Sequence, residues 1–389
     1  MPLIPLAVPN LEGGREAEFL AECIRSTFVS SVGPFVTEFE TRIAEVSGTG
    51  SATVLCSGTV ALQVALEALG AGPGDLVMMP SLTFIGTPNA ISHSGAAPWL
   101  VDVDPATWSI DIALCRQLVL SETEPVGDGL RRHRSSGKIL RAIMPVMIMG
   151  AAIDLDAIVA FAGEFGLKVV VDAAAAIGAE ASGGRPLGRT GVDAVCYSFN
   201  GNKTITTGGG GAVAAMDDDL IRRIRHLCST ARVGANYDHD MIGYNFRMTN
   251  VQAALGVAQI ARLDGFLARK REIRDRYAAF ADGHPDLMAF PVPPGGRSTH
   301  WFSGFWYTGR DLGRCDAFRD HMRAAGIDLR PFWKPIHLQA PYRHAQSSAM
   351  PVADDRWQRI FPLPCSTHLS ETDLDHVVET ARRFWFAQG

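Results

Sequence analysis

The segment Ser198-Phe-Asn-Gly-Asn-Lys203-Thr-Ile-Thr-Thr-Gly208-Gly-Gly-Gly211 sets one lysine between the end of an apolar run and four glycines. Glycines let a backbone approach a ligand closely, and the stretch is too rich in small and polar side chains for a core role. A lysine amine made nucleophilic by its surroundings is what a carbonyl compound requires for covalent capture. The plainer alternative is a solvated lysine beside a flexible loop. No G-x-G-x-x-G opens a helix here, so a dinucleotide fingerprint is not supported. Some thirty residues upstream, Lys168-Val-Val-Val-Asp172 closes an apolar run on one acidic residue. Asp172 is either a strand-end cap or a buried carboxylate facing the nitrogen of a pyridine cofactor. In the second role it would keep the ring protonated, so that the ring could accept electrons from a substrate carbanion.

Two further groups belong to the same reading. Cys56-Ser57-Gly58-Thr59 stands where a strand turns into a helix. Small hydroxyl residues there are ordinary N-caps, and the same geometry offers free N–H groups and a favourable dipole to a phosphate. Phe84 starts the next helix, either as core packing or as a face for a flat cofactor ring.

The elements that must position these residues follow from periodicity. Short apolar runs at Ala52–Leu55, Asp75–Met79, Trp99–Asp102, Ile139–Val146, Lys168–Asp172, Ala194–Phe199 and Gly211–Ala215 predict seven strands, several covered on both faces. Helical patterns between them, such as Thr59–Leu69, Ile153–Phe165 and Leu220–Leu227, predict an α/β fold whose mainly parallel sheet carries active residues at the strands' carboxyl ends. Ser121–Lys138 has mixed charge and no period, and is expected to be a surface loop or insertion. One long helix is expected after Thr249. The predicted division is a large domain over 1–250 with an N-terminal arm, a connecting helix over 251–284, and a smaller α+β domain over 285–389. That last part should contain a strand near His300–Tyr307 and helices at Cys315–Ala325 and Glu371–Phe386.

Composition bounds the rest. The 389 residues carry 36 Lys and Arg against 41 Asp and Glu, a formal charge of −5, which gives no basic field for nucleic acid or an anionic membrane. Seven scattered cysteines without a C-x-x-C pair predict neither a disulfide framework nor a metal site. A proline-broken start without a basic region and the lack of a membrane-length apolar run make a cytoplasmic protein the expectation.

In combination, the strand-end Asp172, the loop of Lys203 and the helix start at Ser57 are far more specific than any of them alone. With Ile4–Asn10, Phe28–Gly33, Cys56–Leu62, Asp102–Trp108, Ser198–Gly211, Gly243–Asn250 and Arg330–His337, the chain resembles the DegT/DnrJ/EryC1/StrS nucleotide-sugar aminotransferases along nearly its whole length. Asn-Gly-Asn before Lys203, the extra segment Ser121–Lys138 and His239–Arg247 resemble the branch that aminates UDP-4-keto-6-deoxy-N-acetylhexosamines on the way to legionaminic-type sugars.

The resemblance implies a fold-type I, aspartate-aminotransferase-like enzyme that uses pyridoxal 5'-phosphate. Lys203 would hold the cofactor as a Schiff base and move the proton. Asp172 would face the ring nitrogen, Phe84 would stack on the ring, and Ser57, Gly58, Thr59 and Ser198 would hold the phosphate. Asn245 would reach the phosphate of the neighbouring subunit in a homodimer, Arg247 would line that interface or the same substrate pocket, and Arg330 and His337 would border the substrate. Glutamate would be the amino donor. The chain departs from its relatives at Val171 and Ala175 in the ring-nitrogen segment, where Ala175 replaces a polar side chain. It departs also at Gly209, in place of a glutamate, and at Met147 and Met149, in place of His and Tyr. Alternatives on the same fold are a 3-keto sugar aminotransferase or a dehydratase, against which Lys203 argues because those relatives carry histidine there. A catalytically idle binding or regulatory protein is the third alternative; the presence of Lys203 and Asp172 argues against it.

Overall fold

The computed structural model describes residues 3–127, 129–293 and 296–386. All seven expected strands form, at Ser51–Leu55, Asp75–Pro80, Ala97–Val101, Ile139–Ile143, Lys168–Asp172, Ala194–Ser198 and Gly211–Ala215. Five of the seven are buried along their whole length or all but their first residue by helices on both faces, which explains their unbroken apolar runs. Gly211–Ala215 is antiparallel to both its neighbours, Ser51–Leu55 and Ala194–Ser198. The steps from Ala194–Ser198 through Lys168–Asp172, Ile139–Ile143 and Asp75–Pro80 to Ala97–Val101 are parallel. Six of the seven strands therefore end on the same edge of the sheet, which carries Ser57, Phe84, Asp172 and Ser198.

Ser121–Lys138 is not the loop its composition suggests. Thr123–Gly127 and Leu130–His133 form an antiparallel hairpin, and the second strand pairs with Ile139–Leu140. Asp128, at its turn, lies outside the described residues. Only Thr123 of the first strand is buried and its other residues are half-buried or exposed, so no apolar alternation marks it in the sequence. With the hairpin and the short strand Gln346–Ser347, which joins Ala97–Val101 in parallel, the sheet reaches ten strands.

The single helix expected after Thr249 is two helices, Asn250–Ile260 and Leu263–Asp282. Thr249 and Gln252 form a capping box at the first turn. The break at Ala261–Arg262 has no glycine or proline to announce it. Its cause is tertiary: Arg262 pairs with Glu16 at 3.3 Å, and the Gln259 amide donates to the Asn10 carbonyl at 2.9 Å. Beyond it, Leu287–Ala289, Ser303–Tyr307 and Ile360–Leu363 make a three-stranded antiparallel sheet. Helices Gly313–Ala324 and Glu371–Trp385 pack together beside it, their aromatic side chains meeting Phe305 and Phe361. Among the described residues no helix is long and apolar enough to cross a membrane.

Candidate active site

A cavity of about 500 Å³ opens on the sheet edge where the strands end, closed from the other side by Trp301, Phe302 and the segment Arg330–Trp333. Ser57, Gly58, Thr59, Phe84, Asp172, Ser198, Lys203 and Arg330 all line it. Residues separated by as many as 273 positions in the chain thus meet on one surface.

Asp172 is buried at its strand end. Its Oδ2 accepts from Thr87 Oγ1 at 2.7 Å and its Oδ1 from the Ala174 N–H at 3.1 Å. Burial pushes its carboxyl above the ordinary aspartate range, against the opposing pull of Thr87, Ala174 and Lys203. A carboxylate in that condition is stabilised by a cationic N–H partner. Lys203 stands at the end of the neighbouring strand's loop, and its amine lies 3.8 Å from the centre of the Trp301 ring. Burial holds the amine down at about 8, with Asp172 opposing. Roughly a tenth of such a lysine is free base at pH 7, some three hundred times the fraction of an ordinary lysine.

Ser57 caps helix Gly58–Ala68, accepting from the Val60 N–H at 3.2 Å. The first N–H groups of a helix lack partners within it and favour an anion. Packing explains the glycines. A Cβ on Gly58 would stand 2.7 Å from Ser198 Cβ, and one on Gly211 would stand 2.4 Å from the Ser57 carbonyl oxygen. These contacts bring the Ser198 hydroxyl beside the helix start. Phe84 is 55% exposed and tilts against Trp333 at 5.7 Å, so it is not a core residue.

Arg247 and His337 do not line this cavity, and neither does Asn245, whose expected place is the neighbouring subunit's site. Arg247 points to Glu40, at 3.9 Å, where Arg225 also pairs at 2.9 Å. His337 is tied down by Ser81 Oγ at 2.7 Å and Asp354 at 2.9 Å, outside the cavity lining. Asn245 is exposed, bridged to Ser229, and does not line this chain's own cavity. In the other direction, the sequence reading assigned no role to Thr87 or Trp301. Thr87 carried a weak signal, lying one turn beyond Phe84; Trp301 carried none. The departures are in place as well: Met147, Met149, Ala175 and Gly209 line the cavity, giving it a largely apolar floor. Met149 adopts a left-handed backbone at φ 53°, a strained state for a side chain of its size.

The donor set fits pyridoxal phosphate: an amine with depressed basicity, a buried carboxylate without a fixed cation, and a helix start with a hydroxyl beside it. Fold and site together define an α/β enzyme of the pyridoxal-phosphate class. The profile of the DegT/DnrJ/EryC1/StrS aminotransferase family matches residues 11–382. The chain is 36% identical over 385 residues to GDP-perosamine synthase of Caulobacter vibrioides, with 97% of each chain covered. It is 35% identical over 389 residues to GDP-perosamine synthase of Escherichia coli O157:H7, with 99% of each covered. The solved structure of DesV from S. venezuelae superposes with a TM-score of 0.87 at 28% identity, covering 100% of both chains. The protein belongs to the DegT/DnrJ/EryC1/StrS family and is a pyridoxal-phosphate-dependent sugar aminotransferase.

Proposed function

We propose that the enzyme transfers an amino group from glutamate to the keto carbon of a nucleotide-linked 4-keto-6-deoxy sugar, giving the 4-amino sugar. The observation that carries this reading is the convergence of Lys203, Asp172 and the Ser57–Thr59 helix start on one cavity. When bound, the cofactor supplies an electron sink for the carbanion formed at the substrate carbon. Lys203 would hold the cofactor through its amine, and its place in the cavity would let the same amine carry a proton. Asp172 holds the proton on the ring nitrogen, and Thr87 and Ala174 fix the carboxylate for that task. Ser57, Gly58, Thr59 and Ser198 would hold the phosphate, and Phe84 would offer an aromatic face to the ring. Met147, Ile148 and Met149 keep bulk water off the reacting atoms. Arg330, held by Asp328 at 2.8 Å at the cavity rim, offers its guanidinium to the substrate's phosphates. Arg247 and His337 have no place in this reading.

The nucleotide expected from sequence motifs was UDP on a 2-acetamido sugar. Of the three motifs, only Asn200 and Asn202 line the cavity; neither the Ser121–Lys138 hairpin nor His239–Arg247 does. GDP-perosamine synthases are similar along the full length, which favours a GDP-linked sugar. The active form is proposed to be a homodimer in which Asn245 reaches the neighbour's cofactor phosphate. Tyr237, Met241 and Ile242, the last 93% exposed, lie on the same stretch of surface and support an interface there. The test is 2-oxoglutarate release from glutamate with GDP-, UDP- and dTDP-linked keto sugars. The highest kcat/KM is expected for the GDP-linked 4-keto-6-deoxy sugar, and a preference for a dTDP-linked 3-keto sugar would overturn the assignment.

A further inference from the structure

We propose that Trp301 is a positioning residue for Lys203, holding the lysine at both ends while its amine is free. Its indole Nε1–H donates to the Asn202 carbonyl at 2.6 Å, gripping the backbone just before the lysine. Its ring face lies 3.8 Å from the lysine amine, within the range of a cation–π contact. The inference rests on Lys203 being the cofactor-binding lysine, and it adds the site at which that lysine waits when a substrate amine has taken its place.

Trp301 is itself held with unusual thoroughness. Lys270, buried on helix Leu263–Asp282, has no carboxylate partner among the described residues; its ammonium donates to the Trp301 carbonyl at 2.8 Å and to the Cys365 carbonyl at 2.6 Å. Phe302 stacks on the indole at 3.8 Å, and the Thr299 N–H donates to the Gly150 carbonyl at 2.8 Å. His300 and Met149, facing each other across this seam, both have left-handed backbone, at φ 52° and 53°. Non-glycine residues enter that region at a steric cost that their surroundings must offset. A buried cation and two strained residues spent on one tryptophan indicate that its exact placement is what the seam secures.

The charged groups around Lys203 are few. Asp172 faces it from the strand end, Arg330 lies across the cavity, and Lys270 and His300 flank Trp301 from behind. Burial, then Arg274, holds His300 down at about 4, so it stays neutral through the range in which Lys203 titrates. Lys270 is common to every variant compared below.

The test is competitive labelling of the cofactor-free full chain with acetic anhydride from pH 6 to 10, with acetylation of Lys203 read by mass spectrometry and exposed Lys168 as internal reference. Removing the ring removes a stabiliser of the ammonium form, so W301L should lower the Lys203 midpoint by roughly half a pH unit or more. W301F keeps a weaker ring and should lower it by less; it also preserves the packing should W301L fail to fold. In the loaded enzyme, W301F should lower kcat on the order of three- to ten-fold at unchanged KM. A Lys203 midpoint that is unchanged or raised in W301F would overturn the proposal. That outcome is separable from failure of the cofactor assignment, because the labelling is read without cofactor.

Discussion

Thr87 Oγ1 donates to Asp172 Oδ2 at 2.7 Å inside the cavity wall, so the orientation of the buried carboxylate is set from helix Gly86–His93, which starts just after Phe84. A hydrogen bond to a charged group contributes about 1.5–3 kcal/mol. Thr87→Val should therefore lower kcat/KM roughly ten- to a hundred-fold, and Thr87→Ser should return most of it. Steady-state kinetics on the two variants check this; equal activity in Val and wild type would reduce Thr87 to packing.

Asp172→Asn should still bind cofactor but lose roughly ten- to a hundred-fold or more in turnover, because a neutral amide cannot hold the proton on the ring nitrogen. Near wild-type turnover would make Asp172 the strand-end cap that its position alone allows.

Capture of cofactor by the cofactor-free protein should speed up with pH and level off near the Lys203 value. Its amine is held down at about 8 by burial, with Asp172 opposing. Only the free base attacks, so the rate rises about ten-fold per unit below that value and flattens above it. Stopped-flow absorbance between pH 6 and 9.5 measures the curve. A rate still climbing at pH 9.5 would mean an ordinary, solvated lysine.

Gly58→Ala should lower stability by about 1–3 kcal/mol, a few degrees in Tm, and weaken cofactor retention, because its Cβ would press on Ser198. Gly209→Ala should change neither, since no atom lies within 4 Å of where its Cβ would be. Thermal melts with and without cofactor separate the two cases.

These residues differ in how far sequence could reveal them. Asp172 and Ser57 sit at or just past strand ends and Lys203 in the loop that follows Ala194–Ser198, where apolar runs give way to polar residues, and the strand boundaries fall within three residues of the periodicity. The Thr123–His133 hairpin escaped because a strand at the sheet's flank is half-solvated, and its arginines and glutamates break up the alternation. The break at Arg262 escaped because no local residue demands it; Glu16 does, from some 250 positions away. Trp301 and Thr87 act through contacts with partners 99 and 85 positions distant; only Thr87, one turn beyond Phe84, has a local mark, and a weak one. Arg247 belongs to a conspicuous motif, but its side chain lies near Glu40 at 3.9 Å and not on this chain's own cavity.

The shared site can be tested by mixing. Inactive Lys203→Ala and inactive Asn245→Ala subunits should regain part of their activity when exchanged, because one hybrid site then holds both an intact lysine and an intact asparagine. Normal activity in Asn245→Ala alone, or an active monomer, contradicts the arrangement.

The claim on which all of this depends is that Lys203 binds the cofactor covalently. Borohydride reduction of the loaded protein, followed by peptide mapping, locates the attachment directly. The account predicts a pyridoxyl group on Lys203 alone and none in Lys203→Ala. Attachment at Lys138, Lys168, Lys270 or Lys334, or no attachment in the wild-type protein, would contradict it.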